Sequence, residues 1–377
     1  MKKALHVATI INTLTAFEIQ DMCLLQSLGY KVECAASTEE KFASEAEKSL
    51  KDLGIGVNNI PFVRSAVSKR HIAAFGALRK QFKCNYDIIH THTPIASALT
   101  RLAAVKYRKH GTKVIYTAHG FHFFYGAPIK NWLLYFPVEW ICSWFTDVII
   151  TINQQDYKRA KRYLHSKSVK YIHGVGIDIS RYSRSSGFDV MTKRKEIGIP
   201  HDAIILISVG ELNKDKNHQV VIKALKKLKN PNIHYCIAGI GSAQNQLIKL
   251  AELLNVQGNV HLLGFRSDIP ELLWSADYFV FPSIFEGLPV SVMEAMAAGL
   301  PIVCSSCRGN TDLIRDKHYL FKYDSIDECV KAIQYAISHN NMEYTKRNMK
   351  RLIPFQKENV SREMGKIYKE IDKGIGK

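Results

Sequence analysis

Two glutamates, Glu286 and Glu294, stand where a strand-like run gives way to a helix-like run. The apolar run 278–281 leads into a loop that contains Gly287, and a helix is predicted to begin near Pro289. The first backbone N–H groups of a helix lack partners within it, so this point favours an anionic group. Carboxylates here would suit a ligand that also carries hydroxyl groups. The alternative is a helix-capping acid followed by a solvated glutamate.

A lysine follows another predicted strand end. Residues 204–209 form a buried strand that ends at Gly210, and Lys216 comes six residues later. A lysine at this place can reach a phosphate beside the strand ends and neutralise its charge. The alternative is a solvated lysine at the start of a helix.

Two glycines, Gly239 and Gly241, come directly after a further apolar run. Such a pair is a weak signal by itself, and Gln244 stands where a third glycine would complete a dinucleotide-binding motif. We predict a loop that approaches a nucleotide, with ordinary turn formation as the alternative.

Histidines lie at strand ends in the first half of the chain. His119 comes just past the run 113–117, and His90 and His92 lie at the end of the run 87–91. Strand alternation would direct His90 and His92 to opposite faces, so we do not expect them to share a metal ion. His119 is predicted to face the ligand.

The elements that position these residues alternate between strand and helix. Strands are predicted at 4–10, 31–36, 87–91, 113–117, 147–152, 204–209, 233–238, 259–263, 277–281 and 301–304, with helices between them such as 39–53. This alternation predicts two doubly wound α/β domains with parallel sheets, which bind ligands at the carboxyl ends of their strands. We place the domains at 1–180 and 201–355, a linker at 181–200, and a helix at 356–377 that crosses back to the first domain.

Composition limits the class of protein. The 377 residues are 46% hydrophobic and 23% charged, which excludes a disordered, fibrous or polytopic membrane protein. A net charge of +18 favours an anionic partner. The eight cysteines are expected to be reduced and mostly buried, and the N-terminus lacks a secretory signal, so a cytoplasmic location is predicted.

The most apolar region, 131–152, is interrupted by Pro137, Glu139 and Asp147. We predict a buried helix followed by a strand, with insertion into a membrane interface as the alternative. Basic runs at 106–110 and 158–163 flank this region and indicate either a membrane-surface role or solvated helix faces.

The segments 264–270, 277–301 and 308–314 resemble the retaining glycosyltransferases of family 4, and they are closest to the capsular and exopolysaccharide branch. The likeness covers nearly the whole chain and is densest at 204–315. It implies the α/β GT-B fold, in which two Rossmann-like domains face each other across a central cleft.

The resemblance implies a role for each matching residue. The catalytic set would be His119, Glu286 and Lys216; the donor-binding set would be Gly210, Lys216, Gly239, Gly241, Arg266, Glu286, Gly287, Leu288, Pro289 and Glu294; the acceptor side would include His92 and His122. Glu211 departs from the family pattern, which has arginine at this position. Either Lys214 or Arg308 compensates for it, or Glu211 points away.

The implied activity is transfer of a hexosyl or N-acetylhexosaminyl group, with retention, from a UDP-sugar to a lipid-linked saccharide. The enzyme would contact the anionic inner face of the plasma membrane peripherally. No Asp-x-Asp motif is present, so neither a metal nor another cofactor is expected. The alternatives are a sugar-nucleotide epimerase or hydrolase on the same fold, and a basic nucleic-acid-binding protein. No known nucleic-acid-binding motif supports the second alternative, so nucleic acid is not an expected partner.

Overall fold

The computed structural model describes residues 1–40, 42–65 and 67–374. The chain divides into two compact units. Unit 1 comprises Met1–Gly176 together with the segment from Lys357 onward, and unit 2 comprises Ile177–Gln356.

Unit 1 is a parallel sheet with helices between successive strands. Its strands are β1 Lys3–Ile10, β2 Lys31–Ser37, β3 Gly56–Asn59, β4 Ile88–Thr91, β5 Lys113–Ala118, β6 Val148–Thr151 and β7 Ser168–Tyr171. Its helices are α1 Ile11–Phe17, α2 Ile19–Ser27, α3 Ala43–Asp52, α4 Arg70–Gln81, α5 Pro94–Arg108, α6 Ile129–Ser143 and α7 Gln154–Tyr163. Among the described residues the strand order is β3-β2-β1-β4-β5-β6-β7.

Unit 2 repeats this architecture. Its strands are β8 Ile204–Val209, β9 Ile233–Ala238, β10 Val260–Gly264, β11 Tyr278–Phe281, β12 Ile302–Ser305 and β13 Leu320–Phe321. Its helices are α8 Val190–Glu196, α9 Gln219–Leu228, α10 Gln244–Leu253, α11 Ile269–Ser275, α12 Val290–Ala297, α13 Asn310–Leu313, α14 Ile326–Ser338 and α15 Met342–Arg351. In the described part of this unit the strand order is β10-β9-β8-β11-β12-β13.

The strand order of each sheet reverses at one point, between β1 and β4 in unit 1 and between β8 and β11 in unit 2. In open parallel sheets such a reversal leaves a crevice beyond the carboxyl ends of the strands, because the connecting helices leave on opposite faces. The segments after β1, β4 and β5, and those after β8 and β11, are therefore the places to look for a site.

The prediction of two doubly wound α/β units is confirmed, and each predicted strand is present with small shifts at its ends. Helix α3 is shorter than the predicted 39–53. Strands β3, β7 and β13 were not predicted. The first two are short and half-buried or exposed, and β13 has only two residues, so none of them carries a continuous apolar run.

The prediction of a buried helix within 131–152 is wrong. Helix α6 exposes Ile129, Leu133 and Trp140 and buries its acidic residue Glu139, and the exposed Trp144 directly follows the helix. No helix in the described residues has both the length and the apolar character that crossing a membrane requires.

The segment 181–200, predicted as a linker, contains α8, whose Arg194 Nη2 donates to both carboxylate oxygens of Asp277 inside unit 2. The last helix, α16 Lys357–Asp372, belongs to unit 1. There the Tyr368 hydroxyl lies 2.8 Å from His90 Nδ1. The end of the predicted 356–377 segment, residues 375–377, lies outside the described residues.

Candidate functional site

An ion pair joins the two loops that leave the central strands of unit 2. Lys216 Nζ, beyond the end of β8, lies 2.6 Å from Glu286 Oε1, beyond the end of β11. The ammonium group also lies 4.9 Å from the centre of the Phe281 ring. Both charged side chains are partly exposed, at 23% for Lys216 and 14% for Glu286, so a ligand can reach them.

Glycines let the neighbouring loops pack closely. A Cβ atom on Gly239 would lie 1.9 Å from the carbonyl oxygen of Gly210, and one on Gly241 would lie 2.3 Å from that of Leu212. A Cβ on Gly210 would only touch the Lys216 side chain, at 3.4 Å from its Cε, so this glycine is not required by packing. The two glycines after β9 thus have a structural reason to be glycine, whether or not a nucleotide approaches them.

The loop 287–289, before α12, packs against the start of α13. Gly309 has a φ of +77°, and a Cβ there would lie 2.7 Å from the carbonyl oxygen of Gly287. Leu288 is buried, and Pro289 immediately precedes the first residue of α12. The backbone of this loop is therefore held in place from two sides, as a preformed anion site at a helix start requires.

Glu294 lies inside α12 and accepts a hydrogen bond of 2.5 Å from the Tyr182 hydroxyl. Burial raises the pKa of Glu294, and the Tyr182 hydrogen bond opposes this rise. Tyr182 in turn has a raised pKa because it is buried beside this carboxylate. Sequence reasoning missed Tyr182, which lies in the segment predicted as a linker.

Arg266 is held by two carboxylates, Asp268 at 2.5 Å and Glu196 at 2.7 Å. These hydrogen bonds raise the pKa of Arg266 further and lower that of Asp268. If Arg266 contacts the sugar donor as predicted, it must do so while it also binds Asp268 and Glu196. Glu211 and Lys214 are exposed, whereas Arg308 is buried.

In unit 1 the strand ends bring together a cluster that we call the histidine cluster: His6, Glu18, His90, His92 and His119. Glu18 Oε1 lies 3.1 Å from His119 Nε2 and 3.3 Å from His92 Nδ1. These two ring nitrogens lie 3.4 Å apart. His92 and Glu18 are buried, and the side chain of His119 is 26% exposed.

The expectation that His90 and His92 point to opposite faces is wrong, because their ring centres lie 4.3 Å apart. Strand β4 ends at Thr91, so alternation does not extend to His92. Burial lowers the pKa of His6 to about 3 and lowers those of His90 and His92 well below the usual range. Sequence reasoning did not single out His6 or Glu18.

The backbone beside this cluster is strained. Thr93, between His92 and the first residue of α5, has a φ of +58°, which β-branched residues rarely adopt. Its hydroxyl accepts a hydrogen bond from the backbone N–H of Thr9 at 2.9 Å. Strained backbone of this kind is enriched at functional sites, although other non-glycine residues of this chain, such as Asn85, also have a positive φ. His122 is not a member of the histidine cluster, and its ring centre lies 4.5 Å from that of Tyr135.

Comparison with known proteins identifies the family. Residues 23–181 match the sequence model described as Glycosyltransferase Family 4, and residues 189–351 match that described as Glycosyl transferases group 1. The EpsD protein of Bacillus subtilis is 40% identical over 319 residues, which is 84% of this chain and 81% of EpsD. The chain is a family 4 glycosyltransferase.

Other relatives of this family 4 glycosyltransferase are more distant. An Escherichia coli protein, UDP-Gal:alpha-D-GlcNAc-diphosphoundecaprenol alpha-1,3-galactosyltransferase, is 28% identical over 274 residues, covering 70% of this chain and 69% of its own. The crystal structure of Anabaena HepE in complex with UDP and glucose has a TM-score of 0.80 at 17% identity, covering 98% and 100% of the two chains. WaaG, a glycosyltransferase involved in lipopolysaccharide biosynthesis, has a TM-score of 0.72 at 16% identity, covering 97% and 99%.

The predicted family and the predicted GT-B fold are confirmed by these matches. The chain is thus a nucleotide-sugar glycosyltransferase of a retaining family. The site residues stay predictions.

Proposed function

We propose that this enzyme transfers a hexose or N-acetylhexosamine from a UDP-sugar to a lipid-linked saccharide during capsular or exopolysaccharide synthesis. The observation that carries the proposal is the Lys216–Glu286 pair beside the start of α12. It sets a cation for a diphosphate next to a carboxylate for sugar hydroxyls. Glu294, further along α12, is the acid that we assign to the ribose hydroxyls.

The choice of donor is supported by two of the similar proteins. HepE was crystallised with UDP and glucose, and the Escherichia coli relative is named for UDP-galactose. The latter is also named for a diphosphoundecaprenol acceptor, which supports a lipid-linked saccharide here.

The chemistry follows from a retaining family without an evident covalent nucleophile. The bond between the anomeric carbon and the phosphate oxygen breaks, and the acceptor hydroxyl oxygen bonds to the same face of that carbon. The hydroxyl proton passes to the departing phosphate oxygen. Lys216 and the N–H groups at the start of α12 stabilise the charge that grows on the diphosphate. The remaining predicted catalytic residue, His119, belongs to unit 1, and its contact with the sugar stays a prediction.

We further propose that unit 1 binds an anionic membrane through what we call the α6–α7 surface. Helix α6 supplies exposed apolar side chains, among them Ile129, Leu133, Trp140 and Ile141, and the exposed Trp144 directly follows it. Helix α7 supplies exposed Lys158, Lys161 and Arg162. The two helices pack together, with the Arg159 guanidinium 5.7 Å from the centre of the Trp132 ring. Aromatic and aliphatic groups beside lysine and arginine are what an anionic lipid surface attracts.

The Lys216→Ala change tests the assignment of the donor site. We expect UDP affinity or turnover to fall at least tenfold, since a hydrogen bond to a charged group contributes about 1.5–3 kcal/mol. Binding is measured by the shift of thermal unfolding with UDP, GDP, ATP and NAD. A ligand at 100 times its dissociation constant adds about 2.7 kcal/mol to the stability of the wild type.

The matched control is Lys249→Ala, which removes an exposed lysine from α10. Unchanged UDP binding and turnover in Lys216→Ala would contradict the proposed site. Turnover is measured with a lipid-linked acceptor and without one. Release or isomerisation of the donor sugar that needs no acceptor would instead identify a hydrolase or an epimerase.

A further inference from the structure

The histidine cluster contains a triangle of ligand atoms with the dimensions of a metal site. Its corners are Glu18 Oε1, His92 Nδ1 and His119 Nε2, and its edges measure 3.1, 3.3 and 3.4 Å. Zinc binds nitrogen and oxygen ligands at about 2.0–2.2 Å, and tetrahedral geometry then separates neighbouring ligand atoms by about 3.3–3.5 Å. Octahedral geometry at the same bond lengths would separate them by about 2.8–3.1 Å. The edges lie closer to the tetrahedral range.

A hydrogen bond can account for one edge of this triangle, between His92 and His119, but not for the two edges that meet at Glu18. Glu18 Oε1 is buried, and within the described residues it accepts no hydrogen bond from either ring. A buried carboxylate oxygen without a donor is costly unless a cation or a proton meets its charge. The three atoms lie close enough together to be ligands of one ion.

The second candidate group, His6 with His90 and His92, fits an ion less well. Both ring nitrogens of His90 are already engaged, Nδ1 with the Tyr368 hydroxyl at 2.8 Å and Nε2 with the Thr117 hydroxyl at 2.7 Å. His6 instead orients a member of the triangle, because its Nδ1 lies 3.2 Å from Nε2 of His92, the ring nitrogen outside the triangle. A metal-binding histidine is usually fixed by such a partner on its other nitrogen.

We propose that Glu18, His92 and His119 bind one divalent transition-metal ion of the zinc type. Two imidazole nitrogens and one carboxylate oxygen leave a fourth tetrahedral position open, which is the pattern of catalytic rather than structural zinc. The His119 side chain is partly exposed, so this corner of the triangle is the one that solvent can reach. An oxygen ligand such as a hydroxyl or a phosphate is the chemical class that the position would take.

This site differs from what the sequence led us to expect. The absence of an Asp-x-Asp motif argues only against a metal on the donor diphosphate. The triangle depends on Glu18, which no spacing in the sequence connects with His92 or His119. The proposal does not depend on the proposed function, because its measurement is metal binding and not turnover.

Equilibrium dialysis of the full chain against Zn²⁺, with metal analysis of the retained protein, tests the proposal. We expect one ion per chain for the wild type, and at least tenfold weaker binding for Glu18→Gln and for His119→Gln. Cobalt(II) added to the metal-free protein should give the strong visible absorption of a tetrahedral site, and both variants should lose it. His6→Gln should weaken binding about 10–100-fold through the loss of its support for His92.

Two controls make the result specific. His261→Gln breaks another close histidine pair, in which His234 Nδ1 and His261 Nε2 lie 2.9 Å apart, and it should leave binding unchanged. Cys84→Ser removes an exposed thiol that could hold zinc by itself. A folded wild type that binds no ion would overturn the proposal, and so would binding that survives both Glu18→Gln and His119→Gln.

Discussion

At the scale of single residues, charges that lie far apart in sequence are brought together in each unit. The Lys216–Glu286 pair was within reach of sequence reasoning, because each residue stands in a motif beside a strand end. The partner of Glu294 was not, because Tyr182 lies 112 positions away and no local pattern indicates the contact. Glu18 was missed for the same reason.

The Glu294→Gln change is predicted to raise stability and to weaken nucleotide binding. Burial raises the pKa of Glu294 in the folded chain, so the folded state holds this proton to higher pH than the unfolded state does. Stability therefore falls as pH rises from the unfolded pKa through the folded one. The neutral glutamine avoids this loss, so the gain in unfolding temperature should be larger at pH 7 than at pH 4.

The same variant should bind UDP about tenfold or more weakly, because a charged acceptor for the ribose hydroxyls is lost. Glu252→Gln, at an exposed position of α10, is the control for both effects. Equal gains in unfolding temperature at pH 4 and pH 7 would show that the Glu294 carboxylate is not the source of the pH dependence.

At the scale of elements, the central strands were predictable and the outer ones were not. Strands covered by helices on both faces, such as β8 and β9, read as continuous apolar runs. Strands β3 and β7 were not predicted because their composition is polar, and a strand with exposed faces does not require a continuous apolar run. The error at α6 has a different cause: an apolar composition does not say which face of a helix is buried.

Helix α6 is tied to α5 by a buried ion pair. The guanidinium of Arg101 lies 2.8 Å from Glu139 and 4.2 Å from the centre of the Tyr116 ring. The Tyr116 hydroxyl donates to the same carboxylate at 3.2 Å. This network explains how Glu139 can be buried in unit 1, where α6 also packs apolar side chains such as Phe136 against the core.

Arg101→Met is predicted to destabilise unit 1 by about 3–5 kcal/mol, because it leaves the Glu139 charge buried without its cation. The double variant Arg101→Met/Glu139→Leu should recover most of this loss. Urea denaturation of the full chain measures both, and retained UDP binding would show that unit 2 is intact. Lys227→Ala, which breaks an exposed pair with Asp327, should cost less than about 1 kcal/mol. Equal costs for Arg101→Met and Lys227→Ala would contradict this account.

At the scale of the whole molecule, the proposed membrane contact combines exposed basic residues of α7 with exposed apolar groups of α6. Each lysine or arginine near an anionic membrane contributes about 1 kcal/mol to binding. The double change Lys161→Gln/Arg162→Gln should therefore weaken binding to vesicles that contain an anionic lipid by about tenfold or more. Trp140→Ala/Trp144→Ala should weaken binding through the loss of buried apolar area.

Sedimentation with vesicles of neutral or anionic composition measures this binding, and added salt should reduce it. Lys226→Gln/Lys227→Gln removes the same charge from α9 of unit 2 and serves as the matched control. If the control loses as much binding as the α7 variant, net charge alone attracts the chain, and the α6–α7 surface has no special role.

Helix α16 gives the molecule an order of assembly during translation. The strands of unit 1 leave the ribosome before unit 2 does, yet its His90 pairs with Tyr368, and Gly176 packs against the backbone of Lys357. Every described residue of unit 2 lies between those two parts of unit 1 in the chain. A nascent chain can therefore complete unit 2 while unit 1 still lacks its last helix. The domain that is synthesised first is the one that is finished last.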